Sequence, residues 1–270
     1  ACTTIVEVRE DGAGVVTYPS TRTTIDDAVL AGIDLRTARE AAVALSRFED
    51  PELVVPGAAL PSLVRLPPLL GIDEITPGGI EELWAHSRGT STPIGIGENG
   101  PFELDLVRDG PHGLVGGTTG SGKSEFLRSL ISGLAARNDP TKLTFILIDF
   151  KGGAAFKPLE ALPHTIGYAG SGSGSREQQT RLLRHLKNEL DRRKADPTGD
   201  RRRIVFLLDG LATLRDEYQD IDGMALLDSL YRVYADGPEL GIWTAVATSR
   251  AKSIPSAVDE VTTQRWLFHL

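Results

Sequence analysis

The run Gly117-Thr118-Thr119-Gly120-Ser121-Gly122-Lys123-Ser124 constrains this 270-residue chain more than any other part of its sequence. It meets the spacing G-x-x-x-x-G-K-[ST], in which each residue type has a physical task. Glycines let backbone N–H groups turn inward around an anion, where a side chain would collide or forbid the angles. Lys123 places a cation for β- and γ-phosphates, and the Ser124 hydroxyl suits a Mg2+ ion. An apolar strand around Val115 precedes the run. A helix follows, with Phe126, Leu127, Leu130, Ile131 and Leu134 as a core-packing stripe. That helix aims its positive end at the same anion. Residues 117–124, with Glu125, are therefore expected to hold ATP and Mg2+.

From Pro111 onward, strand–loop–helix units repeat. The pattern predicts strands at 113–116, 143–149, 204–209, 241–248 and 265–270, and helices at 123–136, 176–194 and 223–235. Short apolar runs alternating with helices imply an α/β fold, a mainly parallel sheet covered on both faces. Before it, 77–86 reads as a helix and 92–107 as a hairpin turning at 98–100. Residues 4–18 read as a hairpin about Glu10-Asp11-Gly12, and residues 24–48 as one or two helices. The stretch 51–68 holds Pro51, Pro56, Pro61, Pro67 and Pro68 and reads as an extended connector. The expected organisation is a small N-terminal α+β appendage and connector over 1–58, then the α/β domain over 59–270. Both ends fall inside expected strands, which reads as a piece of a longer protein. Gly170-Ser-Gly-Ser-Gly-Ser175 has the composition of a flexible linker substituted for a loop, and no function is drawn from it.

Lysine plus arginine number 29 against 37 aspartates and glutamates, a formal charge of −8. That is the wrong sign for a general DNA binder, which gains affinity by releasing counterions from phosphates. The basic residues 192–194 and 201–203 read as a cation-favoured helix end and a solvated turn. One cysteine, Cys2, excludes an internal disulfide, and the five histidines include no HxxxH or HxH pair. Without a run of about 18 apolar residues, the chain reads as cytoplasmic. Trp84, Trp243 and Trp266 read as packing residues.

A nucleotide-hydrolysing site also needs a carboxylate at the end of a buried strand. Asp149, closing Phe145-Ile-Leu-Ile-Asp, and Asp209, closing Val205-Phe-Leu-Leu-Asp, both qualify, and spacing does not choose between them. Pro111-His-Gly-Leu-Val115 before the loop, Ser124-Glu125 after it and Ile148-Asp-Phe-Lys-Gly-Gly-Ala154 beyond it resemble the FtsK/SpoIIIE ATPases. The Asp-Phe-Lys-Gly-Gly form, with Leu66-Pro-Pro-Leu-Leu-Gly71 and Pro93-Ile-Gly-Ile-Gly97, is most similar to the EccC/EssC motors of type VII secretion. The resemblance covers about residues 60–270.

The resemblance implies a RecA-like P-loop fold with Asp209 as the Walker B aspartate, sharing Mg2+ with Ser124. Where the family has a water-orienting glutamate this chain has Gly210, and where it often has Thr-Gln-Arg this chain has Thr248-Ser249-Arg250. ATP binding with weak or partner-dependent hydrolysis is expected, and Gly210→Glu is expected to raise turnover if Ser249 and the arginine supply suffice. Arg250 and Arg265 are candidate arginine fingers. The implied partners are other ATPase domains or subunits in a ring or tandem array, and an exported protein's signal peptide. A DNA translocase and a non-hydrolysing scaffold are the alternatives, and membrane contact is implied only through segments absent here.

Overall fold

The computed structural model describes residues 4–9, 13–19, 21–29, 36–37, 39–40, 61, 63–86, 89–97, 100–152, 155–196, 198–199, 202–250 and 254–269. The chain divides into two compact units, Ala1–Ala58 and Ala59–Leu270. In the first, β1 (Ile5–Val8), β2 (Ala13–Tyr18) and β3 (Thr23–Val29) form an antiparallel sheet in the order β1-β2-β3. The hairpin expected over 4–18 is β1 and β2, though its turn at 10–12 lies outside the described residues. Residues 24–29 are strand, not helix. The β-branched Thr23, Thr24 and Ile25 pair with Tyr18, Thr17 and Val16, and that pairing outweighs the helical spacing that begins at Val29. Of the remaining expected helix, Arg36, Thr37, Arg39 and Glu40 are helical, and residues 30–35, 38 and 41–48 lie outside the described residues.

The second unit opens with a helix where an extended connector was expected: α1 (Leu66–Leu70). Pro67 and Pro68 occupy its first turn, where a missing N–H costs nothing, and Gly71 closes it in the left-handed conformation. Thr76 caps α2 (Pro77–Ala85) through the Gly79 N–H, and the Trp84 indole donates to Ala135 O at 2.9 Å. β4 (Ser91–Gly97) and β5 (Gly100–Asp105) pair as the expected hairpin, though residues 98 and 99 of its turn lie outside the described residues.

A six-stranded parallel sheet carries the rest. Its strands β6 (His112–Gly116), β7 (Leu143–Asp149), β8 (Thr165–Ala169), β9 (Arg203–Asp209), β10 (Ile242–Thr248) and β11 (Gln264–Leu267) lie in the order β11-β6-β10-β9-β7-β8. The helices are α3 (Lys123–Arg137), α4 (Ser175–Ala195), α5 (Leu211–Glu217), α6 (Ile221–Asp236) and α7 (Ser256–Asp259). Alternate strand residues face opposite layers. Phe145, Leu147, Val205, Leu207 and Ala245 pack under Leu127, Leu130, Ile131 and Leu134 of α3. Ile146, Ile148, Phe206, Leu208 and Val246 pack against Leu183, Leu186 and Leu190 of α4 and Leu227, Leu230 and Val233 of α6. This is the two-faced α/β sheet expected.

Sequence reading missed β8 and α5. β8 is an edge strand of five residues, with Ile166 exposed and Gly167 inside it, so it has no long apolar run. α5 starts behind Gly210 with no side-chain cap. The last strand also ends earlier than expected. Phe268 N–H bonds Gly116 O at 2.9 Å, and His269 O accepts the Thr118 N–H at 2.9 Å, so the backbone leaves the sheet for the glycine-rich loop. Among the described residues no helix is long and apolar enough to cross a membrane.

Candidate nucleotide site

Parallel strands place their C-terminal ends on one rim, where the connecting loops can share a site. β6 ends at Gly116, the loop spans 117–122, and α3 begins at Lys123. The loop needs its glycines. Gly117 has φ 151, and a Cβ there would lie 2.7 Å from Ser121 Oγ. Lys123 is 2% exposed and folds under the loop, donating to Gly117 O at 2.6 Å and Thr118 O at 2.5 Å. Burial pulls the Lys123 pKa below the ordinary lysine value. The positive charge of Lys151 adds to that shift, and Asp209 opposes it. Thr118 is tied to His269 O through its N–H and, at 3.0 Å, its hydroxyl. The expected loop residues Thr119, Gly120, Ser121 and Gly122 complete the turn, in which Ser121 N–H donates to Thr118 O. Glu125 turns outward to Arg128 at 2.9 Å, a first-turn acid on α3.

The two strand-end aspartates separate by their partners. Asp149 spends both oxygens on the turn behind it, accepting N–H groups of Lys151 (2.7 Å), Ala155 (3.0 Å) and Phe156 (3.3 Å). Asp209, fully buried, accepts the Ser124 hydroxyl on Oδ2. Its Oδ1 accepts no hydrogen bond and lies 3.2 Å from the Lys151 ammonium. A serine hydroxyl hydrogen-bonded to a buried carboxylate is the donor pair a Mg2+ ion beside a phosphate chain uses, so the residues fit that ion. Among the described residues no group of three or more His, Cys, Asp or Glu could hold a metal.

Gly210 sits at φ 112, ψ 49, with its N–H on Ala247 O at 3.1 Å. A Cβ there would lie 2.8 Å from Phe150 Cβ. The expectation that Gly210→Glu simply restores a base therefore needs correcting. This turn holds a left-handed glycine against Phe150, and a glutamate can enter only if the backbone shifts. Arg250 is exposed beyond β10 and pairs with Asp216 at 3.4 Å, while its N–H donates to Thr248 Oγ1. Arg265, on β11, donates to Asp259 O and Oδ1, both at 2.9 Å.

Lys151 is the site residue that sequence reading missed. Its only signal was its place in Asp-Phe-Lys-Gly-Gly behind a strand. The basic residues 192–194 are engaged within the fold. Arg193 is 2% exposed and donates to Leu240 O (2.7 Å), Arg202 O (2.6 Å) and Glu189 (2.7 Å). Arg192 pairs with Glu189, and Lys194 with Asp236. Trp243 is core, and Trp266 packs on Phe126 with ring centroids 5.1 Å apart.

Residues 83–203 match the FtsK/SpoIIIE family. The ESX secretion system protein YukB of Bacillus subtilis (strain 168) is 38% identical over 142 residues, 50% of this chain and 10% of YukB. The ESX-1 secretion system protein EccCa1 of Mycobacterium tuberculosis (strain ATCC 25618 / H37Rv) is 48% identical over 86 residues, 32% of this chain and 12% of EccCa1. The chain thus spans about a tenth of the length of the curated relatives it matches. Among solved structures, the cytoplasmic domain of the Thermomonospora curvata type VII secretion ATPase EccC superposes with a TM-score of 0.62 at 27% identity, over 74% of this chain and 26% of that one. The pCW3 conjugation coupling protein TcpA, with ATPγS, shares the fold at a TM-score of 0.54 and 18% identity, over 96% of this chain and 75% of that one.

Proposed function

The chain carries an FtsK/SpoIIIE-family domain over residues 83–203, and from that premise we propose that it is an ATP-binding motor domain of a type VII-like protein export system, with weak turnover of its own. The observation that carries this reading is the Ser124 hydroxyl on the Asp209 carboxylate directly behind the glycine-rich loop. The N–H groups of 117–122 would take the phosphates, and Lys123 would exchange its loop carbonyls for them. Ser124 and Asp209 would hold Mg2+, which when bound neutralises phosphate charge. Gly210 offers no group to orient a water, and Ser249 is shorter than the glutamine it replaces. Turnover by this chain alone is therefore slow, and groups lent by a neighbour would raise it.

Neighbouring ATPase domains, in a tandem array or ring, are the partners this reading implies. Arg250 and Arg265, both exposed at their tips, are the residues to test at such a boundary. A structure of Thermomonospora curvata EccC ATPases 2 and 3 contains a signal sequence peptide, and an exported protein's signal peptide is the corresponding proposal here. The domain would work on the cytoplasmic side, with residues 1–58 an appendage to the ATPase domain 59–270. A DNA-translocating reading finds less support, since Arg192, Arg193 and Lys194 are paired within the fold.

Titration with a fluorescent ATP analogue in Mg2+ tests the reading. The chain is expected to bind, Lys123→Ala to lose at least about tenfold in affinity, and phosphate release to stay below about one per second. Unchanged binding by Lys123→Ala would overturn the loop's role, and brisk release would overturn the weak-turnover reading.

A further inference from the structure

The turn after β7 delivers a second ammonium to the phosphate site. Asp149 builds that turn by accepting the N–H groups of Lys151, Ala155 and Phe156. Gly152, at φ 86, adds a bond from its N–H to Ser171 Oγ at 2.8 Å. The N–H groups of Lys151 and Gly152 are thus both held, and the Lys151 side chain runs to Asp209, where Nζ lies 3.2 Å from Oδ1. That oxygen is buried and accepts no hydrogen bond, while its twin holds the Ser124 hydroxyl. The charge of Lys151 also reaches Lys123, whose pKa it helps to lower. The ammonium groups of Lys123 and Lys151 are thus near enough to feel each other, and Asp209 favours the charge on each.

We propose that Lys151 is a phosphate-contacting residue of this site: it balances Asp209 until a metal–nucleotide complex enters, then turns onto the terminal phosphate of a triphosphate. The inference rests on the reading of the loop as a nucleotide site. A buried carboxylate needs a compensating charge, and Lys151 supplies it here. With a divalent cation held by Ser124 and Asp209, the carboxylate would no longer depend on Lys151, whose ammonium would be free to leave it. Lys151 is 30% exposed on a flexible four-carbon stem, so it can follow the new field to the nearest uncompensated anion. A triphosphate carries one more anionic group for that ammonium than a diphosphate does. The same lysine stands directly behind β7, so the end of that strand would feel the third phosphate.

The test measures affinities for ADP and for a non-hydrolysable triphosphate (AMP-PNP), both with Mg2+, on the intact chain and on Lys151→Met, Lys151→Gln and Lys151→Arg. Melting temperatures identify which variants fold. Removing the charge is expected to cost roughly tenfold or more in triphosphate affinity, as for one hydrogen bond to a charged group, and under about twofold for ADP. Lys151→Arg is expected to restore most of the difference. Equal losses for both nucleotides would mark Lys151 as a structural partner of Asp209 and overturn the inference, as would unchanged triphosphate affinity. A wild-type chain that bound neither nucleotide would instead remove the reading of the site.

Discussion

At Gly210 the backbone angle and the nearest neighbour point the same way: φ 112, and Phe150 Cβ 2.8 Å from where a Cβ would stand. Any L-residue there meets left-handed strain and a collision, together costing about 2–3 kcal/mol. Gly210→Glu should therefore lower the melting temperature by roughly 5–10 °C and leave phosphate release slow. Calorimetry and a phosphate assay on one preparation check both halves. A stable, faster variant would show that the turn rebuilds easily. The phosphate loop was legible from sequence because its chemistry is contiguous in the chain. Spacing alone did not choose between Asp149 and Asp209, because both close equally apolar strands and differ only in what comes to meet them, and the choice of Asp209 came from the family resemblance. Asp149 meets its own turn, while Asp209 meets α3 across 85 positions. Lys151 stayed invisible for the same reason, since its partner is remote in sequence.

At the scale of elements, the long periodic helices and the fully buried strands were readable, because burial on one face imposes a pattern. β3 and β8 were not, because both are edge strands whose pairing partners decide them. α1 was hidden by its prolines, which a helix accepts in its first turn. The basic end of α4 shows what composition cannot reveal. Arg193 ties α4 to the entry of β9 through Arg202 O and to the entry of β10 through Leu240 O. Arg193→Met should cost about 2–4 kcal/mol by stranding those carbonyls, with nucleotide affinity unchanged. Chemical denaturation beside a nucleotide titration checks it. A variant of normal stability that had lost affinity for DNA would return the basic run to a nucleic-acid role.

Across the whole molecule, acid sensitivity follows from two buried groups and one carboxylate. His112 is 1% exposed, with Nε2 2.6 Å from Tyr234 O and Nδ1 2.7 Å from Thr244 Oγ1. Those partners fix a neutral ring that donates to the carbonyl and accepts from the hydroxyl. Burial pushes its pKa down to about 4. Its contribution is complete above pH 6.5, the unfolded value. It falls as pH drops toward 4, because the unfolded chain takes a proton the folded chain refuses, for a loss of about 3 kcal/mol. His164, lowered by its own burial, adds to this limb. Glu189 is held at about 2, first by its bond from Arg192. Its contribution is present above its unfolded value near 4.5 and is lost as pH falls through 2. Thermal melts between pH 8 and 4 should therefore decline below pH 6.5, and His112→Gln should make that decline shallower. An unchanged slope in the variant would assign it elsewhere.

All six strands of the parallel sheet run the same way, so that sheet has two unlike ends. Gly117, Asp149, Asp209 and Thr248 stand where strands finish, and His112 and the Arg193 tie stand where strands start. Random mutagenesis should thus sort by geography. Heat-sensitive alleles that still retain their ligand should crowd one end, and heat-resistant alleles that have lost it should crowd the other.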